Sequence, residues 1–277
     1  MEMIAGRFAV VGNPIAHSLS PRIHAAFAEQ AGHAIDYRAE YVDLEVFESW
    51  VLDFFEHGGR GLNVTLPFKS RAFALANVAS QRARLAGAAN LLTSDQDGQV
   101  HADNTDGKGL VTDMVGNAGW SLRDARILLL GAGGAVKGVM PALLSEQPAA
   151  IYVVNRTASR AEEIAATYTG SDVTVCGGGY EMAGANVWDV VINGASAGLS
   201  GGMPALPPAI ALAEACVCYD MAYGPAAAPF LSWARERGAR DVRDGLGMLV
   251  EQAAESYFLW LGEYPDTKAV LSALREA

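Results

Sequence analysis

Two short polar segments of the chain carry residue types that could move a proton. The segment from Gly61 to Lys69 reads GLNVTLPFK and ends on a lysine, and the segment from Asp103 to Gly107 reads DNTDG. A lysine can pass a proton to or from an alcohol, and a neighbouring carboxylate such as Asp106 can hold both groups in place. A glycine-rich turn suited to a dinucleotide, which can take a hydride, follows soon after. Together these features suggest the reversible oxidation of a secondary alcohol.

Each of the two charged residues also has a plain structural interpretation. A lone lysine after a turn, such as Lys69, is usually a surface residue. Asp106 could be only a helix cap before Gly107. The functional interpretation depends on their occurring together.

A third polar segment, Asn13 to Pro21, could bind an anion. If it is extended, Ser18 and Ser20 face the same way and can both donate to a carboxylate. Ser20 could equally be a helix N-cap before Pro21, and taken alone this is the better interpretation. His17 has no metal partners or nucleophile at a useful spacing, so we assign it a structural role.

The cofactor signal is the turn Gly131-Ala132-Gly133-Gly134-Ala135, which follows a strongly apolar strand. Glycines let phosphates approach the backbone N–H groups at a helix N-terminus, and 136–144 is typical of a helix. The match to the dinucleotide fingerprint is incomplete because Val136 occupies its last glycine position, and such a turn alone is a weak signal.

The end of the next strand favours NADP over NAD. NAD enzymes usually have an acidic residue there for the ribose hydroxyl, whereas this chain reads Asn155-Arg156-Thr157-Ala158-Ser159-Arg160. Arg156 and Arg160 would attract a 2′-phosphate that a carboxylate would repel. The alternative is that these arginines form the solvated start of a helix.

Composition limits the classes of function. The 277 residues suggest about two domains, and 51% hydrophobic residues can form a sizeable core. A net charge of −11 argues against a nucleic-acid partner, although helix N-termini can still hold small anions. The three cysteines (Cys176, Cys216 and Cys218) have no zinc-like spacing and fit a reducing cytoplasm.

No segment of the sequence predicts a membrane association. The N-terminal residues Met1 to Ile4 lack the basic start and the long apolar run of a signal peptide. Apolar runs elsewhere are too short to span a bilayer. We therefore expect a cytoplasmic protein with a small-molecule substrate, no nucleic-acid partner and no membrane, and we allow for a homodimer.

Short apolar runs alternate with helical patterns, which is typical of an α/β fold with parallel strands. The predicted strands are 7–11, 36–42, 61–64, 126–130, 151–154, 189–192 and 217–220. A helix is predicted to begin near Ser20, and a long apolar helix to follow Gly245. On that helix Gln252 shares a face with Met248, Ala253 and other residues at 3.6-residue spacing. It could reach a ligand, but spacing alone slightly favours a partly exposed flank residue.

Taken in order, these motifs resemble the shikimate/quinate dehydrogenase family, and within it the NADP-dependent shikimate dehydrogenases. Any one motif is modest, but the ordered set is specific and covers nearly the whole chain. The motifs that carry the resemblance are 11–21, 63–69, 103–107, 131–135, 155–157, 219–223 and 244–249.

The resemblance implies NADPH-dependent, reversible reduction of 3-dehydroshikimate, with Lys69 as the acid/base and Asp106 as its catalytic partner. It implies an N-terminal substrate domain over 1–105, completed by C-terminal helices over 246–277, and a Rossmann-type NADP domain over 106–245, with a cleft between them. The residues expected to bind the substrate are Ser18, Ser20, Thr65, Lys69, Asn90, Asp106, Tyr223 and Gln252. The residues expected to line the NADP site are Gly131, Ala132, Gly133, Gly134, Ala135, Asn155, Arg156, Thr157, Ala158, Ser159, Arg160, Met221 and Gly245. No metal is expected.

Three positions depart from the family pattern, which usually has threonine at each: Leu91, Ala195 within the segment 193–198, and Ala228. We expect these changes to alter local hydrogen bonds, particularly around the nicotinamide. Two rival functions stay open. One is a quinate/shikimate dehydrogenase that also accepts NAD, against which Arg156 speaks. The other is a non-catalytic NADP-binding regulator, which would have no reason to keep Lys69 and Asp106.

Overall fold

A computed structural model describes residues 5–195, 203, 206–208 and 210–276. The segment Met1 to Ile4, in which we looked for a signal peptide, and residues 196–198 of the segment 193–198 lie outside the described residues. The chain forms two compact units, one comprising Met1–Gly109 with Leu249–Ala277 and the other comprising Leu110–Met248. The sequence-based boundaries lie at 105/106 and 245/246.

The first unit contains a six-stranded sheet of order β2-β1-β3-β5-β6-β4. Its strands are β1 (Ala5–Gly12), β2 (Ala34–Tyr41), β3 (Gly59–Val64), β4 (Val78–Ala79), β5 (Leu91–Ser94) and β6 (Val100–Asp103). All neighbours pair in parallel except β5, which runs antiparallel to β3 and β6. The mostly parallel sheet expected for the N-terminal part of the chain is thus present.

Helices pack around this sheet. They are α1 (Ser20–Ala31), α2 (Phe47–Glu56), α3 (Lys69–Leu75), α4 (Gln81–Ala86) and α5 (Asp106–Val111), followed near the C-terminus by α9 (Leu246–Leu261) and α10 (Thr267–Arg275). Phe47, Val51 and Phe54 of α2 pack with Ala9 and Val11 of β1. Removing such side chains from water is the main favourable contribution to folding.

The second unit contains a sheet of order β12-β11-β10-β7-β8-β9 in which every pair is parallel. Its strands are β7 (Arg126–Leu130), β8 (Ala150–Val154), β9 (Thr174–Gly178), β10 (Val187–Asn193), β11 (Ala211–Asp220) and β12 (Asp241–Arg243). The helices are α6 (Gly134–Ser145), α7 (Ala158–Thr167) and α8 (Ala228–Glu236). The strand order reverses between β7 and β10, as in Rossmann folds.

Strand β7 shows why this sheet is covered on both faces. Ile127 and Leu129 are buried in one apolar cluster, whereas Leu128 and Leu130 are buried in another. Continuous apolar runs of this kind are typical of parallel strands with helices on both sides. The prediction of two α/β domains, one of them Rossmann-type, is confirmed.

Two features differ from the sequence-based prediction. Strands β4, β5, β6, β9 and β12 were not predicted. Helix α9 is buried all round from Val250 to Tyr257 rather than along one face. Its residues from Leu249 belong to the first unit, where Val250 and Tyr257 pack against Phe27 of α1. Among the described residues, no helix is long and apolar enough to cross a membrane.

Candidate active site

The topology of the first sheet brings several polar segments to one edge. Strands β1, β3 and β6 end there, and β5 begins there because it runs antiparallel to β3 and β6. The segments that leave or enter the sheet at this edge contain Ser18, Thr65, Asn90 and Asp106. Residues far apart in the sequence are therefore positioned by strands that share a rigid core.

Lys69 is the first residue of α3 and is held from two sides. The preceding residue, Phe68, is fully buried and stacks on Phe47 with 4.3 Å between ring centroids. The Lys69 carbonyl accepts a 2.8 Å hydrogen bond from the backbone N–H of Ala89. The Lys69 side chain is only 13% exposed, so it is not the surface lysine of the plain interpretation.

Lys69 Nζ lies 2.5 Å from Asp106 Oδ2, and the Asp106 side chain is 6% exposed. Asp106 begins α5, and its own backbone N–H is held by Asn104 Oδ1 at 3.1 Å. Its other carboxylate oxygen accepts a 2.8 Å hydrogen bond from Asn90 Nδ2. A carboxylate so placed can hold an ammonium group in a fixed position beside a reacting hydroxyl.

Asn90 and Gln252 meet beside this ion pair. Asn90 Nδ2 lies 3.1 Å from Gln252 Oε1, and Gln252 Nε2 donates to the Leu249 carbonyl at 3.0 Å. Gln252 is 9% exposed. Its interpretation as a partly exposed flank residue is therefore wrong, because every residue of α9 from Val250 to Tyr257 is buried.

Ser18 and Ser20 are close together, but not for the reason expected. Helix α1 begins at Ser20, and Leu19 has helical dihedral angles, so the segment is not extended. The Ser18 hydroxyl instead accepts a 3.3 Å hydrogen bond from the Ser20 backbone N–H. The N-cap interpretation of Ser20 is also wrong, since the cap position is Leu19, which has no side-chain cap bond.

Thr65 follows β3, and its backbone N–H donates to the Val11 carbonyl at 3.0 Å. A Cβ atom on Gly12 would approach Thr65 Cγ2 to 2.5 Å, so the strand end of β1 needs a glycine for Thr65 to pack against it. The loops that follow β1 and β3 are thereby fixed against each other.

The sequence analysis did not predict an ion cluster formed by Arg82, Asp103 and Glu255. Arg82 of α4 donates from Nε to Asp103 Oδ1 at 2.6 Å and from Nη2 to Asp103 Oδ2 at 2.8 Å. Its Nη1 donates to Glu255 of α9 at 2.9 Å. Burial opposes the ionisation of Asp103, but the hydrogen bonds from Arg82 and Ser80 outweigh it and hold the Asp103 pKa below its usual range. The cluster holds Asp103, and with it the start of the segment that leads to Asp106. The only signal for this cluster in the sequence is the DNTDG motif, which begins at Asp103.

In the second unit, the glycine turn leads from β7 into α6. Gly131 has φ +102°, and a Cβ atom there would lie 2.9 Å from the backbone of Gly194 and of Ala195. Gly133 and Gly134 have no neighbour within 4 Å of such an atom. Val136, at the departing fingerprint position, is fully buried in the core. The turn thus leaves open space over the N-terminus of α6, which suits a pyrophosphate.

Arg156 is exposed at the end of β8 and forms no ion pair with the part of the chain that the structure describes. Burial raises the pKa of the nearby Tyr180, and the positive charge of Arg156 acts in the opposite direction. Asn155 Nδ2 donates to the Thr157 carbonyl at 3.0 Å and fixes the turn into α7. The guanidinium of Arg156 can therefore donate hydrogen bonds to a phosphate group.

Met221 and Gly245 lie together in this unit. A Cβ atom on Gly245 would lie 2.2 Å from the Met221 carbonyl oxygen. The preceding Asp220, which sequence reasoning did not single out, accepts 2.8 Å hydrogen bonds from Asn193 Nδ2 and the Ala222 N–H. Burial raises the Asp220 pKa to about 6. Tyr223, expected to bind substrate, also belongs to this unit.

The three departures from the family pattern fall at element ends or in turns. Leu91 is the first residue of β5 and is buried. Ala195 donates its backbone N–H to Asn193 Oδ1 at 3.2 Å, and Ala228 begins α8. Within the described ranges, no group of three or more His, Cys, Asp or Glu side chains is arranged to hold a metal ion.

Three family models match successive parts of the chain. Residues 10–92 match the shikimate dehydrogenase substrate binding domain, residues 113–199 match shikimate / quinate 5-dehydrogenase, and residues 245–275 match the shikimate 5′-dehydrogenase C-terminal domain. The three matched ranges follow one another along the chain in the same order as the motifs that carry the resemblance.

Individual relatives agree. Shikimate dehydrogenase (NADP(+)) of Marinobacter nauticus is 51% identical over 97% of this chain and 98% of its own. The crystal structure of an Ael1 enzyme from Pseudomonas putida is 42% identical, with a TM-score of 0.89 over 97% of this chain and 98% of that one. Shikimate 5-dehydrogenase of Thermus thermophilus, in complex with NADP(H) and shikimate, is 32% identical, with a TM-score of 0.85 over 98% and 99% of the two chains. The chain belongs to the shikimate dehydrogenase family.

Proposed function

We propose that this protein catalyses the reversible, NADPH-dependent reduction of 3-dehydroshikimate to shikimate, a step of chorismate and aromatic amino acid biosynthesis. The observation that carries the proposal is the enclosed pair formed by Lys69 Nζ and Asp106 Oδ2, 2.5 Å apart in the first unit. The names of the relatives and the bound shikimate and NADP(H) of the Thermus protein support the choice of substrate and cofactor.

In the direction of reduction, NADPH supplies a hydride to the ketone carbon. Lys69, as an ammonium group, donates a proton to the ketone oxygen, and in the reverse direction its amine accepts that proton. Asp106 accepts a hydrogen bond from Lys69, which keeps Nζ close to the reacting oxygen. A positioned acid/base of this kind contributes roughly 10²–10⁴-fold to a rate.

The remaining polar residues of the first unit are assigned to binding. Ser18 and Ser20 hold the substrate carboxylate through charge-assisted hydrogen bonds. Thr65, Asn90 and Gln252 contact ring hydroxyls, with Tyr223 of the second unit as a further substrate residue. Asn90 and Gln252 suit this role because each carries both a donor and an acceptor in an enclosed position.

NADP is assigned to the second unit. The open turn of Gly131 to Ala135 accommodates the pyrophosphate, and the segment Asn155 to Arg160 recognises the 2′-phosphate through Arg156. Met221 and Gly245 line the site near the nicotinamide. The lack of an ion pair on Arg156, within the described residues, leaves its guanidinium available for this contact.

We also place the protein in the cytoplasm. Cys176, Cys216 and Cys218 are all free thiols, which fits a reducing compartment. A homodimer stays a prediction, and sedimentation of the purified chain would test it.

The central test is turnover with shikimate and NADP⁺, run beside the same assay with quinate and with NAD⁺. Activity confined to shikimate and NADP⁺ supports the proposal. Comparable rates with quinate or NAD⁺ would favour the broader dehydrogenase, and no turnover despite NADP binding would favour a regulator.

Lys69→Ala tests the mechanism, with Lys108→Ala as its matched control because Lys108 is an exposed lysine on α5. Lys69→Ala should lower kcat by roughly 10²–10⁴-fold with a modest change in the KM for shikimate, since the binding residues remain. Lys108→Ala should leave kcat unchanged. A Lys69→Ala variant that is folded by circular dichroism and keeps a near-normal kcat would remove Lys69 from the mechanism.

A further inference from the structure

The side chain of Thr105 lies at the centre of a polar cluster behind the Lys69–Asp106 pair. It is fully buried. Its hydroxyl accepts a 2.9 Å hydrogen bond from Asn90 Nδ2 and lies 3.3 Å from both Gln252 Oε1 and Ser256 Oγ. Neither the proton transfer nor the substrate contacts described above assign a role to Thr105.

The available hydrogens determine how these groups pair. The Ser256 hydroxyl donates its hydrogen to the Gln252 carbonyl at 2.9 Å, so its oxygen is an acceptor toward other neighbours. Gln252 Oε1 carries no hydrogen. The Thr105 hydroxyl is therefore the group that donates toward Ser256 or Gln252, while its lone pair receives an N–H of Asn90.

Thr105 also fixes which end of the Asn90 amide faces Asp106. The Thr105 backbone N–H donates to Asn90 Oδ1 at 2.8 Å, which leaves Nδ2 directed at Thr105 Oγ1 and at Asp106 Oδ1, 2.8 Å away. A rotated amide would direct its oxygen at the Asp106 carboxylate, an unfavourable contact between two acceptors.

We infer that Thr105 is a positioning residue for the reaction: its hydroxyl holds the Asn90 and Gln252 amides in the orientation that binds substrate and supports Asp106. The inference rests on the proposed function. A catalytic arrangement depends on supporting groups that lock the rotamers of the residues in contact with the ligand.

The test distinguishes the contribution of the Thr105 hydroxyl from that of the volume and branching of its side chain. Thr105→Val keeps the volume and branching but removes the hydroxyl, leaving a buried N–H of Asn90 without this acceptor. Thr105→Ser keeps the hydroxyl and loses a methyl group. Thr93→Val is the control, because Thr93 is a half-buried threonine of β5 whose side chain makes no hydrogen bond with the described residues.

Thr105→Val should lower kcat/KM for shikimate on the order of 10- to 100-fold, because it removes both the hydrogen bond that the hydroxyl accepts from Asn90 and the one that it donates toward Gln252 or Ser256. The dissociation constant of NADP should stay unchanged. Thr105→Ser should recover kcat/KM to within about threefold of the parent chain, since the loss of a methyl group leaves the hydrogen bonds intact. Thr93→Val should match the parent in all of these quantities.

Three results would overturn the inference: a Thr105→Val variant with normal kcat/KM, a Thr105→Ser variant impaired as much as Thr105→Val, or an equal loss of NADP binding. If Thr105→Val does not fold, Thr105→Ala takes its place, because it removes the same hydroxyl without placing a methyl group against the Asn90 amide, and the same kinetics decide. An inactive parent chain would refute the proposed function instead, so the two failures are distinguishable.

Discussion

His24 predicts a specific loss of stability in acid. The residue lies on α1 and is fully buried, and neither ring nitrogen makes a hydrogen bond with the residues that the structure describes. Its ring stacks on Tyr37 with 4.2 Å between centroids. Burial lowers the His24 pKa from 6.5 to about 3, although the nearby Asn63 side chain acts in the opposite direction.

The sign of the effect follows from the pH at which the folded and the unfolded state each bind a proton at His24. The unfolded chain protonates His24 as the pH falls below 6.5, whereas the folded chain does so only near pH 3. Between these values the unfolded state binds more protons, so the free energy of unfolding falls as the pH falls. The stabilisation is fully present above pH 6.5 and is lost progressively toward pH 3.

The magnitude comes from the size of this shift. Each pH unit within the window changes the free energy of unfolding by about 1.4 kcal/mol. From pH 8 to pH 5, His24 alone should therefore remove about 2 kcal/mol. That is a substantial part of the stability of a typical domain, which is about 5–15 kcal/mol.

Urea unfolding at pH 8, 6.5 and 5 measures the effect in the parent chain and in His24→Phe. Phenylalanine keeps a stacking ring but cannot be protonated. The stability of His24→Phe relative to the parent should rise by about 2 kcal/mol between pH 8 and pH 5. A constant difference between His24→Phe and the parent across this range would refute the reasoning.

The remaining predictions concern ligand binding. Arg156→Ala should raise the KM for NADP by about 10- to 100-fold and change the KM for NAD far less, because it removes a charge-assisted contact to the 2′-phosphate. Equal changes in KM for the two cofactors would contradict the assignment of Arg156. An equal rise in the KM for NADP in Arg160→Ala would contradict it too. Replacing Ser18 and Ser20 together with alanine should weaken shikimate binding by about 10- to 100-fold in calorimetry, with the dissociation constant of NADP unchanged. Intact shikimate binding would show that the two serines do not anchor the carboxylate.

Much of the fold could be predicted because the strongest strands are continuous apolar runs. Strand β7 and its neighbours in the second unit are of this kind, and Gly131 marks the turn that follows. Strand β9 ends in Gly177 and Gly178, where a Cβ atom on Gly177 would overlap the backbone of α7. Glycine there serves close helix packing and hides the strand from a pattern search.

The candidate site was predictable in its residue types but not in its geometry. Lys69 and Asp106 were singled out from their motifs, yet nothing local in the sequence indicates that β5 is antiparallel and brings Asn90 beside them. The burial of Gln252 was not predicted because helical spacing assumes one buried face, whereas α9 is buried on every face from Val250 to Tyr257. Thr105 was not predicted to have a role because its hydrogen-bond partners lie on two segments distant in the sequence, Asn90 on one and Gln252 and Ser256 of α9 on the other.

The discontinuity of the first unit has a consequence for the order in which the protein can mature. On the ribosome, all of Leu110–Met248 must be translated before α10 and the part of α9 from Leu249 onward, so the second unit can fold while the first still lacks these helical residues. Until then Val250 and Tyr257 are missing from the apolar cluster around Phe27. Gln252 and Ser256 are also missing from the polar cluster around Thr105. The nascent chain can therefore acquire a folded second unit before the polar cluster of the first unit is complete, and the activity proposed for that cluster requires the C-terminal helices.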